Sequence, residues 1–201
     1  MPSRRTNPHP DLARLLDTRW AVPVLAELHR GSVGVSGLAG GGAKFVTLAA
    51  RLSISRDALS RTLATLIASG WVERNPGYGH PIRPEYLLAP RGLALARACD
   101  GLLRSIDALG DGARDALLRK WPLSVAMALA GGSTRFSDLK QALPGVTPRS
   151  LALALKQMES AGLINRRVVE EQYPPRPTYT LPRALRPVLR DAARVQHALA
   201  A

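Results

Sequence analysis

Cysteine is almost absent from this chain. The single copy, Cys99, excludes an intrachain disulfide and a cysteine-based zinc centre. Aromatic residues are nearly as scarce, at 4 % of 201 residues, so a core must be assembled from Leu, Ala and Val, which favours helix over sheet. Lysine occurs only at positions 44, 120, 140 and 156, and Asp and Glu number 15 against 28 Lys and Arg. Codon bias in a GC-rich bacterial genome accounts for Arg in place of Lys, but not for the shortage of acids. The resulting net charge of +13 points to a polyanionic partner, nucleic acid ahead of an anionic membrane. No apolar run approaches the roughly 18 residues of a membrane-spanning helix, and the opening MPSRRTNPHPDL lacks the apolar segment of a signal peptide. The expectation is a soluble, cytoplasmic, nucleoid-associated protein. Its 46 % hydrophobic content suffices for a buried core, and its length for two small domains.

Catalytic chemistry finds little support. His9, His29, His80 and His197 are scattered without ligand spacing. The Gly-rich GSVGVSGLAGGG (31–42) is followed by no GK[ST] and preceded by no strand, so it reads as a loop rather than a phosphate cradle. No catalytic residue, metal site or cofactor is expected, and the protein is read as a non-enzyme.

What is present is a repeat. RPEYLL (83–88) returns as RPTYTL (176–181). At an offset of 101, RWAVPVLAEL (19–28) meets KWPLSVAMAL (120–129), with Trp20 on Trp121. At 91, KFVTLAARL (44–52) meets RFSDLKQAL (135–143). At 92, SRDALSRTLATLIASGWVER (55–74) meets TPRSLALALKQMESAGLINR (147–166). The offset changes only where turns are expected, and the largest change falls in the Gly-rich insert, as it does for repeats that tolerate insertion in loops and not in packed elements.

Each copy reads alike. An apolar helix begins near Pro23 or Pro122. A short helix follows with Phe45, Leu48 and Leu52, or Phe136, Leu139 and Leu143, on one face. Ser55 or Thr147 caps a third helix that buries Leu59, Leu63 and Leu66, or Leu151, Leu155 and Met158, and stops at Gly70 or Gly162. A β-prone piece, a Pro-rich tip and an alternating return piece then make a hairpin. In that return piece Tyr86 and Tyr179 are expected in the core with Leu88 and Leu181, and Pro84 and Pro177 suit a strand start. Residues 91–120 are helical with a break at Gly110 and Gly112, and residues 183–200 form a terminal helix with Pro187 early in it. Helix, helix, turn, helix, hairpin is the winged helix-turn-helix order. The predicted fold is mostly α with small β-wings: two tandem winged helix-turn-helix domains, 11–110 and 111–201, joined by a helical linker.

The string RF-x-x-L, a G-V-T turn, L-x-x-x-L-x-x-M-E-x-x-G-L-I-x-R and R-P-x-Y-x-L, spanning residues 120–181, resembles the HxlR-type branch of the MarR-like winged-helix transcription regulators. The first copy resembles the same pattern more loosely, with KF for RF and GWVER for the Gly-Leu-x-x-Arg piece. Together the copies cover about four fifths of the chain. The chain departs from the family in two ways. Family members resemble one copy per chain and form homodimers, whereas two copies are fused here. Several members carry a reactive cysteine before the first helix, whereas Trp20 and Trp121 have none beside them; Cys99 lies in the inter-copy helix and reads as a small buried residue.

The resemblance implies that DNA is read by the exposed face of the third helix. In the first copy that face carries Arg56, Asp57, Ser60, Arg61 and Ala64, next to the capping Ser55. In the second it carries Arg149, Ser150, Leu153 and Lys156, with Gln157 nearby, next to Thr147. Arg pairs bidentately with guanine and Ser bonds phosphate or base. Arg61 aligns with Leu153 and Ser60 with Ala152, so two half-sites that differ are expected, about one helical turn, roughly 34 Å, apart if the fusion imitates a dimer. Wing candidates are Arg74, His80 and Arg83, and Arg166, Arg167 and Arg176; Glu170 and Glu171 oppose binding by the second wing.

The expected function is a sequence-specific double-stranded DNA-binding transcription regulator, a repressor ahead of an activator. A tandem winged-helix protein-interaction or chromosome-organising adaptor and a replication initiator are the alternatives. Two quaternary arrangements fit: a monomeric pseudo-dimer, or a homodimer through residues 91–109 and 183–200. No small-molecule effector is identifiable.

Overall fold

The computed structural model describes residues 10–33, 42–75, 84–169 and 176–200. The first copy comprises α1 (Pro10–Asp17), α2 (Ala21–Val33), β1 (Ala43–Lys44), α3 (Phe45–Leu52), α4 (Arg56–Ala68), β2 (Val72–Asn75), β3 (Glu85–Leu88) and α5 (Gly92–Asp107). The second comprises α6 (Ala113–Leu117), α7 (Pro122–Ala130), α8 (Phe136–Ala142), α9 (Pro148–Ser160), β4 (Asn165–Val169), β5 (Arg176–Thr180), a 3-10 turn at Arg183–Leu185, and α10 (Arg186–Ala200). The mostly helical fold with small antiparallel wings read from the sequence is the fold observed.

Two local differences have physical reasons. The helix placed near Pro23 begins at Ala21, because proline is tolerated anywhere in a first turn whose N–H groups have no intrahelical partner. The first wing has a third strand. β1 pairs antiparallel with β3, Ala43 opposite Tyr86 and Lys44 opposite Glu85, giving the order β1-β3-β2. Two residues are too short for any alternation to be legible. The second copy reduces the same pairing to one bridge, Arg135 to Thr178, beside the two-stranded β4-β5 sheet. The Gly-rich insert begins inside α2, which runs on through Val33; residues 34–41 lie outside the described residues.

The core is continuous across both copies. One cluster of buried side chains runs from Leu12 in α1 to Val195 in α10. Its centre is α5, which buries Leu95, Ala96, Cys99, Leu102, Leu103 and Ile106 between α2 of its own copy and α10 of the other. α10 enters through the 3-10 turn, with Pro187 in its first helical turn, and buries Val188, Ala192 and Val195. The helices offered as a contact between chains pack on each other inside one chain.

Two buried carboxylates brace these helices. Asp100 on α5 accepts from Arg30 Nε of α2 at 2.7 Å and from Arg104 at 2.6 Å. Asp191 on α10 accepts from Ser105 of α5 and from Arg194 at 2.8 Å. Burial pushes the Asp191 carboxyl up, but hydrogen bonds from Arg190 and Ser105, with the charges of Arg190 and Arg194, outweigh it, and the net direction is down.

A reciprocal pair of ion pairs also joins the copies. Lys120, before α7, meets Asp17 of α1 at 2.9 Å, and Arg19, before α2, meets Asp115 of α6. Arg19 and Lys120 are equivalent in the repeat. Each lies over its own neighbouring indole, 5.5 Å from the Trp20 ring and 5.4 Å from the Trp121 ring. Each copy thus offers the other an equivalent cation, although the receiving carboxylates, Asp115 and Asp17, are not equivalent in the repeat.

Candidate nucleic-acid interface

Each third helix is positioned from its turn. The turn into α4 needs a left-handed residue, supplied by Ser53 at φ 49°; the turn into α9 supplies Gly145 at φ 81°. Ile54 and Val146 plug the turns into the core. The Ser55 side chain accepts from Ala58 N at 3.3 Å and that of Thr147 from Ser150 N at 3.1 Å, satisfying helix-start donors. Thr147 also donates to the Ser150 hydroxyl at 2.9 Å. These three hydroxyls therefore serve the helix starts. Leu59, Leu63 and Leu66 anchor α4, and Leu151, Leu155 and Met158 anchor α9, all buried as the sequence pattern requires. Gly70 and Gly162, both at positive φ, end the helices and turn the chain into the wings.

Anchoring one stripe fixes the opposite one. At about 100° per residue, the side of α4 away from Leu59 and Leu63 presents Asp57, Arg61 and Ala64 in line, with Ser60 beside them. The corresponding line on α9 is Arg149, Leu153 and Lys156. All of these are exposed, as is Arg56. Gln157 is half-buried, as is Ser150. On the wings, Arg74, Arg166 and Arg167 are exposed, with Arg74 opposite Tyr86 and Arg166 opposite Tyr179. Both tyrosines are buried, and Leu88 and Leu181 pack against the core. The backbone of Arg176 pairs with Val169. His80, Arg83, Glu170 and Glu171 lie outside the described residues.

Two exposed cations join this set that sequence reasoning did not single out. Lys44 and Arg135 directly precede α3 and α8, and their strand or bridge pairing lays them against the wing. The signal was available, since these are the first letters of the KF and RF motifs.

The distribution of ion pairs separates this surface from the rest of the molecule. Asp17, Glu27, Asp100, Asp107, Asp115 and Asp191 all pair with cations of the helical scaffold. Among the described residues, no carboxylate pairs with Arg56, Arg61, Arg74, Arg149, Lys156, Arg166 or Arg167. Six acids thus serve the scaffold; Asp57 on the α4 face and Glu73 and Glu85 on the first wing form no ion pair with these cations.

The helix-turn-helix pair and wing, drawn twice in this geometry, coincide with a known sequence family. The model of the HxlR-like helix-turn-helix family matches residues 15–111 and again 116–196. The chain belongs to the HxlR-like family. Similar curated proteins include an uncharacterized HTH-type transcriptional regulator of Methanothermobacter thermautotrophicus, 44 % identical over 62 residues, covering 31 % of this chain and 47 % of that protein. Another is from Synechocystis sp., 42 % identical over 78 residues, covering 37 % and 57 %. A third, YvaP of Bacillus subtilis, is 35 % identical over 83 residues, covering 40 % and 76 %. The chain thus spans about half the length of the first two relatives. Among solved structures, wild-type MarR of E. coli in its apo form is 22 % identical, with a TM-score of 0.33, covering 54 % of this chain and 75 % of that one.

Each HxlR-like match contains one helix-turn-helix pair and one wing. The cysteine of this HxlR-like chain does not sit at a surface. Cys99 is fully buried in α5, and burial, then the charge of Asp100, pushes its thiol well above the ordinary range. It remains a protonated, unreactive thiol at neutral pH.

Proposed function

We propose that this HxlR-like protein is a sequence-specific double-stranded DNA-binding transcription regulator, and that it acts as a repressor. What carries the reading is the placement of free cations: both third helices and both wings present Arg or Lys side chains that form no ion pair among the described residues, in a chain of net charge +13. The HTH-type regulator names of its relatives support it. Residues 11–110 and 111–201 are the two reading units. Arg56, Ser60 and Arg61 of α4, and Arg149, Ser150 and Lys156 of α9, enter successive major grooves. Arg74, Arg83, Arg166, Arg167 and Arg176 meet the backbone or minor groove. Ser55 and Thr147 hold the helix starts against the phosphates. Bound side by side on one chain, the two units block the DNA they cover, which is enough for repression. The α5–α10 packing and the reciprocal Arg19–Asp115 and Lys120–Asp17 pairs favour a single chain as the working unit, on the nucleoid.

A mobility-shift titration on duplex DNA from upstream of its own gene tests this. With roughly six to ten phosphate contacts, affinity falls about 10³–10⁵-fold between 50 and 200 mM salt, and a footprint shows two unequal half-sites. Binding that is nearly independent of salt overturns the reading. Mass measurement of the free protein and its complex checks the single chain.

A further inference from the structure

Leu153 is the anomaly of the reading surface. It is 55 % exposed, on the line of α9 opposite the buried Leu151, Leu155 and Met158. Arg149 stands one turn before it and Lys156 one turn after, at the spacings that make helix neighbours. The α6–α7 junction, with Arg119 and Trp121, lies alongside without covering it. Leu153 borders open clefts against Ala116, Arg119 and Trp121, yet more than half of this large apolar side chain, flanked by two cations, stays exposed. Its equivalent in the first copy is Arg61.

The major groove offers one apolar group that distinguishes bases, the C5-methyl of thymine. A leucine held between two phosphate- or base-binding cations is placed to bury that methyl. Arginine at the same station pairs instead with the O6 and N7 acceptors of guanine. We infer that Leu153 is a specificity-determining residue that reads a thymine methyl in the half-site under α9, where Arg61 reads guanine at the corresponding position under α4. The inference rests on the DNA-reading function proposed above, and it assigns the operator's asymmetry to one residue pair.

The test uses the full chain and the best duplex selected from a random library. Each thymine of the selected site is replaced singly by deoxyuridine, which removes the methyl and nothing else. Binding should weaken about three- to fivefold at one thymine of one half-site, the effect of withdrawing one buried methyl. Leu153→Ala, exposed enough to leave the thermal melt unchanged, should bind thymine and deoxyuridine duplexes alike. Repeating the selection with Leu153→Arg should move the preferred base there to guanine and make the half-sites more alike. Insensitivity to deoxyuridine throughout the site overturns the inference. So does a deoxyuridine penalty that survives in Leu153→Ala, or a selected site unchanged by Leu153→Arg, the result expected if Leu153 docks a protein. In each of these cases DNA is still bound. Failure to select any duplex would instead remove the function itself.

Discussion

The two third helices are built alike inside and unlike outside. α4 and α9 share length, a hydroxyl cap, a four-residue buried stripe and a glycine exit. Their outward lines carry charge in different order: acid, base, alanine at Asp57, Arg61 and Ala64; base, leucine, base at Arg149, Leu153 and Lys156. A helix start favours negative charge, so Asp57 sits comfortably where Arg149 does not. Packing constrains one side of each helix. The other side is free to diverge, and on the DNA-reading function proposed above a fused pair then gains something that two identical subunits lack: a site that need not be a palindrome.

The largest way to break the equivalence lies where the copies enter their long helices. α5 starts at Gly92, where an added Cβ would collide with the Trp71 carbonyl oxygen. α10 starts after a 3-10 turn containing Ala184, so the second copy avoids that approach. Gly92→Ala should cost about 3 kcal/mol in a urea melt, whereas Gly101→Ala in the same helix, with nothing near its Cβ, should add about 0.5–1 kcal/mol.

Asp191 comes next. Its folded-state pKa is lowered, so its ionised form stabilises the fold. That contribution is complete above the unfolded carboxyl value of about 3.9 and fades as pH falls through the lower folded value. Asp191→Asn should lose about 2 kcal/mol at pH 7, and the gap to the wild type should narrow below about pH 4; urea melts at both pH values check the sign.

On DNA, Arg61→Ala should weaken binding by about 1–2 kcal/mol and relax base preference in one half-site only, as a repeated selection would show. The smallest effect concerns the turns. Ser53 is the non-glycine residue at positive φ among the described residues, and its counterpart is Gly145. Ser53→Gly should stabilise by about 0.5–1 kcal/mol, while Gly145→Ser should destabilise by a similar amount. Cys99 adds a check on the core: it should resist alkylation in the native protein and react on unfolding.

Much of this was legible because repetition doubled each signal. Leu59, Leu63 and Leu66 suggest one helix, and the same spacing at Leu151, Leu155 and Met158 fixes the reading. Tyr86 and Tyr179 are placed in the core by alternation and found there. What was not legible depends on distant partners. β1 is two residues long and exists because β3 offers an edge. Asp100 and Asp191 look like surface charges until Arg30 and Ser105, on other helices, are brought to them. The faces of the third helices follow from the buried stripe, but Leu153 becomes informative only once its exposure is known, since a leucine in a helix ordinarily signals the core.

The Arg19–Asp115 and Lys120–Asp17 pairs, with α5 against α10, hold both third helices in one fold. A regulator assembled from separate subunits must first find its partner, so at low abundance its occupancy of DNA rises with the square of its concentration. Here the second helix is always present at the effective concentration set by the fold. With the single chain proposed above as the working unit, occupancy follows copy number linearly, and the difference between the two outward faces is inherited as a unit.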